Sequence, residues 1–210
     1  MARVNSLATP LNPMNPYTYT KTAIHPEWHT PPDLLDRFVG FLGRDGRPVI
    51  DYASSIEAYH PGFRAINTPD GIIEFVDGEP ITTLASRGDQ LMEGSSFFLN
   101  PPGSRDDSKL KYQMFDRLMQ RVFQDPDAEL ILLVYSINSL PIYTGLLPDP
   151  IPGGNGASVC LIRKRIQFIP SQANPARGNS ALAQNALLYL GQAPHNFKVR
   201  FSDLGRVFTT

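Results

Sequence analysis

The stretch Glu129–Tyr135 reads Glu-Leu-Ile-Leu-Leu-Val-Tyr, an almost unbroken apolar run. A strand with one wet face alternates apolar and polar side chains, whereas a strand covered on both faces is apolar throughout. The run therefore predicts a buried parallel strand with layers packed on each side of its sheet. Further strand candidates are Val49-Ile50, Ile72–Val76, Ser96–Leu99, Ser158–Ile162, Arg165–Ile169, Ala186–Leu190 and Arg206–Phe208. Helical spacing separates some of them. Leu34, Leu35, Phe38, Phe41 and Leu42 form one stripe, and Leu110, Met114, Leu118 and Val122 form another, flanked by Phe115, Met119 and Phe123. A short helix is expected over His195–Ser202. Strands alternating with helices predict an α/β layered domain.

The first helix carries its own start signal. Thr30 suits an N-cap, Pro31 the first helical position, and Asp33 the positive helix end. Gly43 ends it. Residues 60–95 carry little pattern beyond Ile72–Val76 and read mainly as loop. Pro141–Gly156 reads as a proline- and glycine-rich loop facing substrate. Residues 1–26, rich in proline, asparagine and threonine, read as a flexible arm before a single domain over 27–210.

The chain has 210 residues, enough for one sizeable core. No apolar run is long enough to span a membrane, and Met1–Asn15 lacks a signal core. The single cysteine, Cys160, sits in an apolar run, so it predicts a buried inert thiol and a reducing, cytoplasmic setting. The net charge of −1 excludes a basic nucleic-acid protein by bulk charge, so any DNA contact must use a local patch. Arg163-Lys164-Arg165 is the one dense basic cluster, and Arg105, Lys109 and Lys111 add charge further up the chain. Read as strand, the cluster would turn two side chains one way. No metal site is expected: Pro26 breaks the helix that would align His25 with His29. Asp106-Asp107 reads as a solvated pair.

The strand Phe97-Phe98-Leu99 ends in Asn100-Pro101-Pro102-Gly103. The first proline removes a backbone donor, and the pair stiffens the turn. An amide side chain and fixed carbonyls remain as outward acceptors, a set suited to gripping a ligand amino group while its nitrogen lone pair stays free. Val49-Ile50 likewise delivers Asp51 to a strand end, followed by Tyr52-Ala53-Ser54-Ser55. In open α/β sheets ligands bind at that end.

Three segments thus occur in order: Trp28-x-Thr30-Pro31 with its helix, an acid after a strand, and a strand ending in Asn-Pro-Pro. With Arg163–Phe168, Asn185–Gly191 and Leu204–Val207, they resemble the phage-type adenine-specific DNA methyltransferases across residues 25–208. The resemblance implies a Rossmann-like class I methyltransferase fold, an open, mostly parallel, seven-stranded-type sheet flanked by helices. It implies S-adenosylmethionine as cofactor, DNA as partner and a host cytoplasm. Trp28, Thr30 and Pro31 would line the cofactor side of the cleft. Asp51, Ala53 and Ser54 would meet the methionine part, and Glu57 the ribose. Asn100, Pro101 and Pro102 would form the catalytic turn, with Asn100 and Pro101 accepting from adenine's exocyclic amino group. Arg105, Lys109, Arg163 and Arg165 are the candidate DNA contacts.

Methyl transfer from a sulfonium is an in-line displacement, and positioning supplies most of its rate. A base in duplex DNA must first leave the stack, at roughly a few kcal/mol. Two positions depart from the family. Gly103 stands where an aromatic usually stacks on the base, a contact worth about 1–3 kcal/mol. Tyr112, Phe97 and Tyr135 are the aromatics that could substitute. Tyr52 stands where the family has proline, and no Gly-x-Gly turn follows. A catalytically silent DNA- or protein-binding module, or an amino methyltransferase for another substrate, are the alternative expectations.

Overall fold

The computed structural model describes residues 28–68, 71–82, 90–101, 108–170 and 184–209. The expected arm lies outside them, as do Pro102, Gly103, Arg105, Asp106 and Asp107. The strands are β1 (Trp28–His29), β2 (Val49–Asp51), β3 (Ala65–Thr68), β4 (Gly71–Val76), β5 (Glu79–Thr82), β6 (Ser96–Leu99), β7 (Leu130–Val134), β8 (Gly156–Ile162), β9 (Ile169–Pro170), β10 (Ala186–Gly191) and β11 (Gly205–Thr209). The helices are α1 (Pro32–Leu42), α2 (Ser108–Gln124), α3 (Leu140–Gly145) and α4 (Pro194–Phe201).

One open sheet of nine strands runs in the order β11-β8-β10-β7-β6-β2-β3-β4-β5. Its centre, β3-β2-β6-β7, is parallel. Both wings are antiparallel. The expected open α/β sheet is therefore present, but its parallel part is confined to four strands. The β4–β5 hairpin extends one edge beyond a seven-stranded sheet. Its two-residue turn, Asp77-Gly78, places both residues at positive φ (53° and 84°), the primed geometry that matches strand twist. β1 pairs separately with β9, Trp28 opposite Pro170 and His29 opposite Ile169.

Strand alternation assigns the two faces. Leu34, Leu35, Phe38, Phe41 and Leu42 of α1 pack with Phe197 and Phe201 of α4 against Val49, Phe98, Ile131, Leu133, Leu187 and Tyr189. Met114, Phe115, Leu118, Met119 and Val122 of α2 pack with Tyr143 of α3 against Ile50, Phe97, Leu99, Leu130, Leu132 and Leu188. All five β7 residues are buried, as the apolar run required. Cys160 is buried, and burial pushes its thiol up to about 11.

Four expectations shift. The region 60–95 holds β3 and β5 as well as β4. The loop over 141–156 contains most of α3, since Pro141 sits in the first helical turn, where no partner for its missing N–H is needed. Residues 163–168 are bend and irregular chain rather than strand, so only Ile169 of the expected Arg165–Ile169 strand joins one, and Arg163, Lys164 and Arg165 are all exposed. The N-cap of α1 is Pro31 and not Thr30: the Pro31 carbonyl takes the Leu34 and Leu35 N–H groups, and Pro32, which has no N–H to satisfy, opens the helix.

Candidate functional site

Between β2 and β6 the strand order reverses. From β2 the chain moves outward to β3; from β6 it moves the other way to β7. The carboxyl ends of strands at such a reversal leave a crevice. Two of the predicted segments end there.

On the β2 side, the chain beyond Asp51 is pinned to both neighbouring strands. Tyr52 N–H donates to Phe98 O (2.8 Å) and Ser54 N–H to Asn67 O (3.1 Å). Asn67 Nδ2 donates to Tyr52 O (3.2 Å). Asp51 shares the parity of Val49, so it lies on the α1 face. It is 5% exposed. Burial pushes its carboxyl up to about 6, opposed by the Ala53 N–H (3.3 Å) and the Ser54 side chain. Among the described residues no basic side chain pairs with it. A carboxylate buried without a cation favours its neutral form, and a positively charged ligand group would reverse that preference.

On the β6 side, Asn100 follows the parity of Phe98 and also lies on the α1 face. Its Nδ2 donates to Thr30 Oγ1 at 3.1 Å. Thr30, freed from capping α1, is buried and holds the catalytic candidate instead. With the donor half of the amide held, Oδ1 is the acceptor that remains. Pro101 is buried behind it. Thr30, Asn100 and Asp51 thus share one face at the carboxyl ends of the central strands β2 and β6.

The remaining candidates divide. Trp28 belongs to β1 and is anchored by β9. Pro31, Ala53 and Ser54 are half-buried around the crevice, and Glu57 is exposed on the 3-10 turn Ile56–Ala58. Lys109 is exposed in the first turn of α2, in the other layer. Arg163 and Arg165 are on the α1 side, lining a cleft of about 630 Å³ with Pro31, Leu34 and Lys164. The DNA-contact set is therefore not one surface. Pro102 and Arg105 lie outside the described residues.

Two clamping roles gave no sequence signal. Asn67 clamps the Asp51 loop, but β3 itself read as loop. Asn185 donates from Nδ2 to Tyr135 O (2.7 Å) and accepts from Ile166 N–H at Oδ1 (3.2 Å), fixing the 163–168 segment over the ends of β7 and β8. Among the three possible substitutes for the missing aromatic, Phe97 is fully buried on the α2 face. Tyr112 packs against Tyr143 on that same face. Tyr135 alone shares the α1 face with Asn100, half-buried, with the Phe168 ring 5.9 Å behind it.

Among the described residues no His, Cys, Asp or Glu cluster is arranged to hold a metal, and no helix is long and apolar enough to cross a membrane. No family model, curated protein or solved structure matches the chain.

Proposed function

We propose that this protein transfers a methyl group from S-adenosylmethionine to an exocyclic amino group in DNA, adenine N6 in the first place. One observation carries the reading. The Asn100 amide is fixed by Thr30 beside the strand end that carries Asp51. The class I methyltransferase form of the fold belongs to the proposal, and the reversal of strand order between β2 and β6 supports it.

Bound in the crevice, S-adenosylmethionine would supply an electrophilic methyl on a positively charged sulfur. Asp51, ionised above about pH 6, would attract the cofactor's cationic methionine part. Ala53 and Ser54 would flank it, with Thr30, Pro31 and the Trp28 backbone on the far wall and Glu57 beside the ribose. Asn100 Oδ1 and the Pro101 carbonyl would each accept one N–H of the target amino group. That grip would draw the nitrogen toward a tetrahedral shape and present its lone pair to the methyl; as the N–C bond formed, the methyl–sulfur bond would break to a neutral thioether, and one amino proton would leave to water. Tyr135 would offer the base a ring from the next strand end, in place of the aromatic that Gly103 lacks.

Calorimetry with S-adenosylmethionine, followed by tritiated-methyl transfer to unmodified DNA, tests the proposal. Binding and transfer are expected; absence of both removes it. A catalytically silent module of the same fold is the second reading, favoured by Gly103 and Tyr52 at the two departures. It predicts DNA binding with no transfer in the same assay.

A further inference from the structure

The net charge of −1 hides a sharp division. Residues 156–210 carry seven Lys and Arg against one acidic residue, Asp203; residues 1–155 carry twelve against nineteen. Such asymmetry within one domain points to a polyanionic partner for the basic part.

Pairing separates the two parts further. Arg37, Arg44, Arg47 and Arg64 each hold a carboxylate: Asp203, Glu129, Asp125 with Asp127, and Glu74. The lone acid of the basic part is thus already bound, in a two-pronged contact with Arg37 (2.7 and 2.9 Å). That contact holds the Asp203 carboxyl down at about 2. Arg163, Lys164 and Arg165 have no carboxylate partner among the described residues. They are exposed, yet their backbone is fixed. Arg163 N–H donates to Leu204 O (3.0 Å) and Ile166 N–H to Asn185 Oδ1 (3.2 Å). Three cations without a carboxylate among the described residues, on a pinned bend, are preorganised for binding an anion.

Placement supplies the rest. The three line the 630 Å³ cleft together with Pro31, the residue after the Thr30 that holds Asn100. The cleft therefore adjoins the amino-acceptor site on the α1 side of the sheet. Asp33, exposed, also lines it, and Asp203 is the other acid there. Three cations against Asp33, with Asp203 neutralised by Arg37, leave the cleft positive.

We propose that this cleft seats the phosphodiester backbone of the strand whose base reaches Asn100, with Arg163, Lys164 and Arg165 as the phosphate contacts. The inference rests on the reading above for the identity of the strand, and it makes the binding surface one-sided. Guanidinium groups suit phosphate because their planar donors match its oxygens in pairs.

The test is fluorescence anisotropy with a labelled oligonucleotide duplex over a salt series, using the full chain. Arg163→Ala/Lys164→Ala/Arg165→Ala is compared with Lys198→Ala/Arg200→Ala/Arg206→Ala, which removes the same charge from exposed positions not lining the cleft. The first variant should weaken binding about tenfold or more at low salt and flatten the slope of log affinity against log salt by about three, one per lost phosphate contact. The second should change both much less. Equal losses in the two variants would overturn the seat in favour of a diffuse field. Wild-type protein that binds no DNA would overturn it too, as would full competition by millimolar inorganic phosphate. Calorimetry with S-adenosylmethionine on the first variant separates the proposals. Unchanged cofactor affinity with lost DNA binding supports the seat. DNA binding that depends on the cleft in a protein with no cofactor affinity keeps the seat and removes the methyltransferase reading.

Discussion

Asp51 and Glu129 are two carboxylates on the same face of one sheet, buried to nearly the same degree, at 5% and 4% exposure. Their surroundings are opposite. Glu129, just before β7, receives both prongs of Arg44 and the hydroxyl of Tyr189. Arg44 also lies over the Phe41 ring, 4.5 Å from its centroid, and Tyr189 stacks on Phe197. Tyr189 in turn accepts from Ala193 N–H (2.8 Å). Gly191 is required beside this cluster, because a Cβ there would collide with the Tyr189 hydroxyl. Asp51, at the other end of the sheet, has one backbone N–H and the Ser54 side chain. Helix α1 spans the two places, with Thr30 just before its start and Arg44 just after its end. The lower edge is internally complete. The upper edge, where β2 ends in Asp51, keeps a buried carboxylate with no cation on it among the described residues, the kind of perturbed group that marks a candidate ligand site.

The comparison breaks most easily at the lower edge. Arg44→Ala leaves Glu129 buried without its cation, so urea unfolding should show a loss of about 3–5 kcal/mol. A loss under 1 kcal/mol would mean that the lower network is not structural. Asp51→Asn should act in the reverse direction. Removing an unpaired buried charge is expected to stabilise the fold at pH 7 by about 2–3 kcal/mol while abolishing cofactor binding. The pH dependence follows from the raised carboxyl. The folded protein holds that proton more tightly than the unfolded chain, so Asp51 lowers stability as pH rises from about 4 to about 6 and adds no further slope above. The wild-type deficit against Asp51→Asn should open across that window in unfolding curves. A constant gap would place the carboxylate in water.

How much of this was legible in the chain depends on distance along it. The α1 stripe, the buried β7 run and the β6 strand are local patterns, and each element forms where its pattern places it, although β7 is parallel to β6 alone and antiparallel to β10. β3 escaped because it is four residues long and ends in half-buried Asn67 and Thr68. The β4–β5 hairpin is marked locally by Asp77-Gly78, a two-residue primed-turn signal within a stretch that otherwise carries little pattern. Arg163–Arg165 looked like strand because β8 runs straight into it, yet the 163–168 segment is held by Asn185, which no local pattern marks. The Thr30–Asn100 bond joins residues 70 apart, and Arg44–Glu129 joins residues 85 apart. Those are tertiary facts; the sequence could offer the partners but not the pairing.

The smallest expected effect sharpens the upper edge. Thr30→Val keeps the shape and removes the acceptor for Asn100 Nδ2. Stability should fall by about 1 kcal/mol, whereas methyl transfer should fall about tenfold or more with cofactor affinity unchanged. Equal losses in stability and transfer would make Thr30 a packing residue only.

The most direct test of the central claim is calorimetric titration of the wild-type protein with S-adenosylmethionine between pH 5 and 7.5. If the Asp51 crevice is the cofactor site, affinity rises as pH passes through about 6, levels off above it, and disappears in Asp51→Asn. Affinity that is flat across this range, or that survives the substitution, would contradict the account.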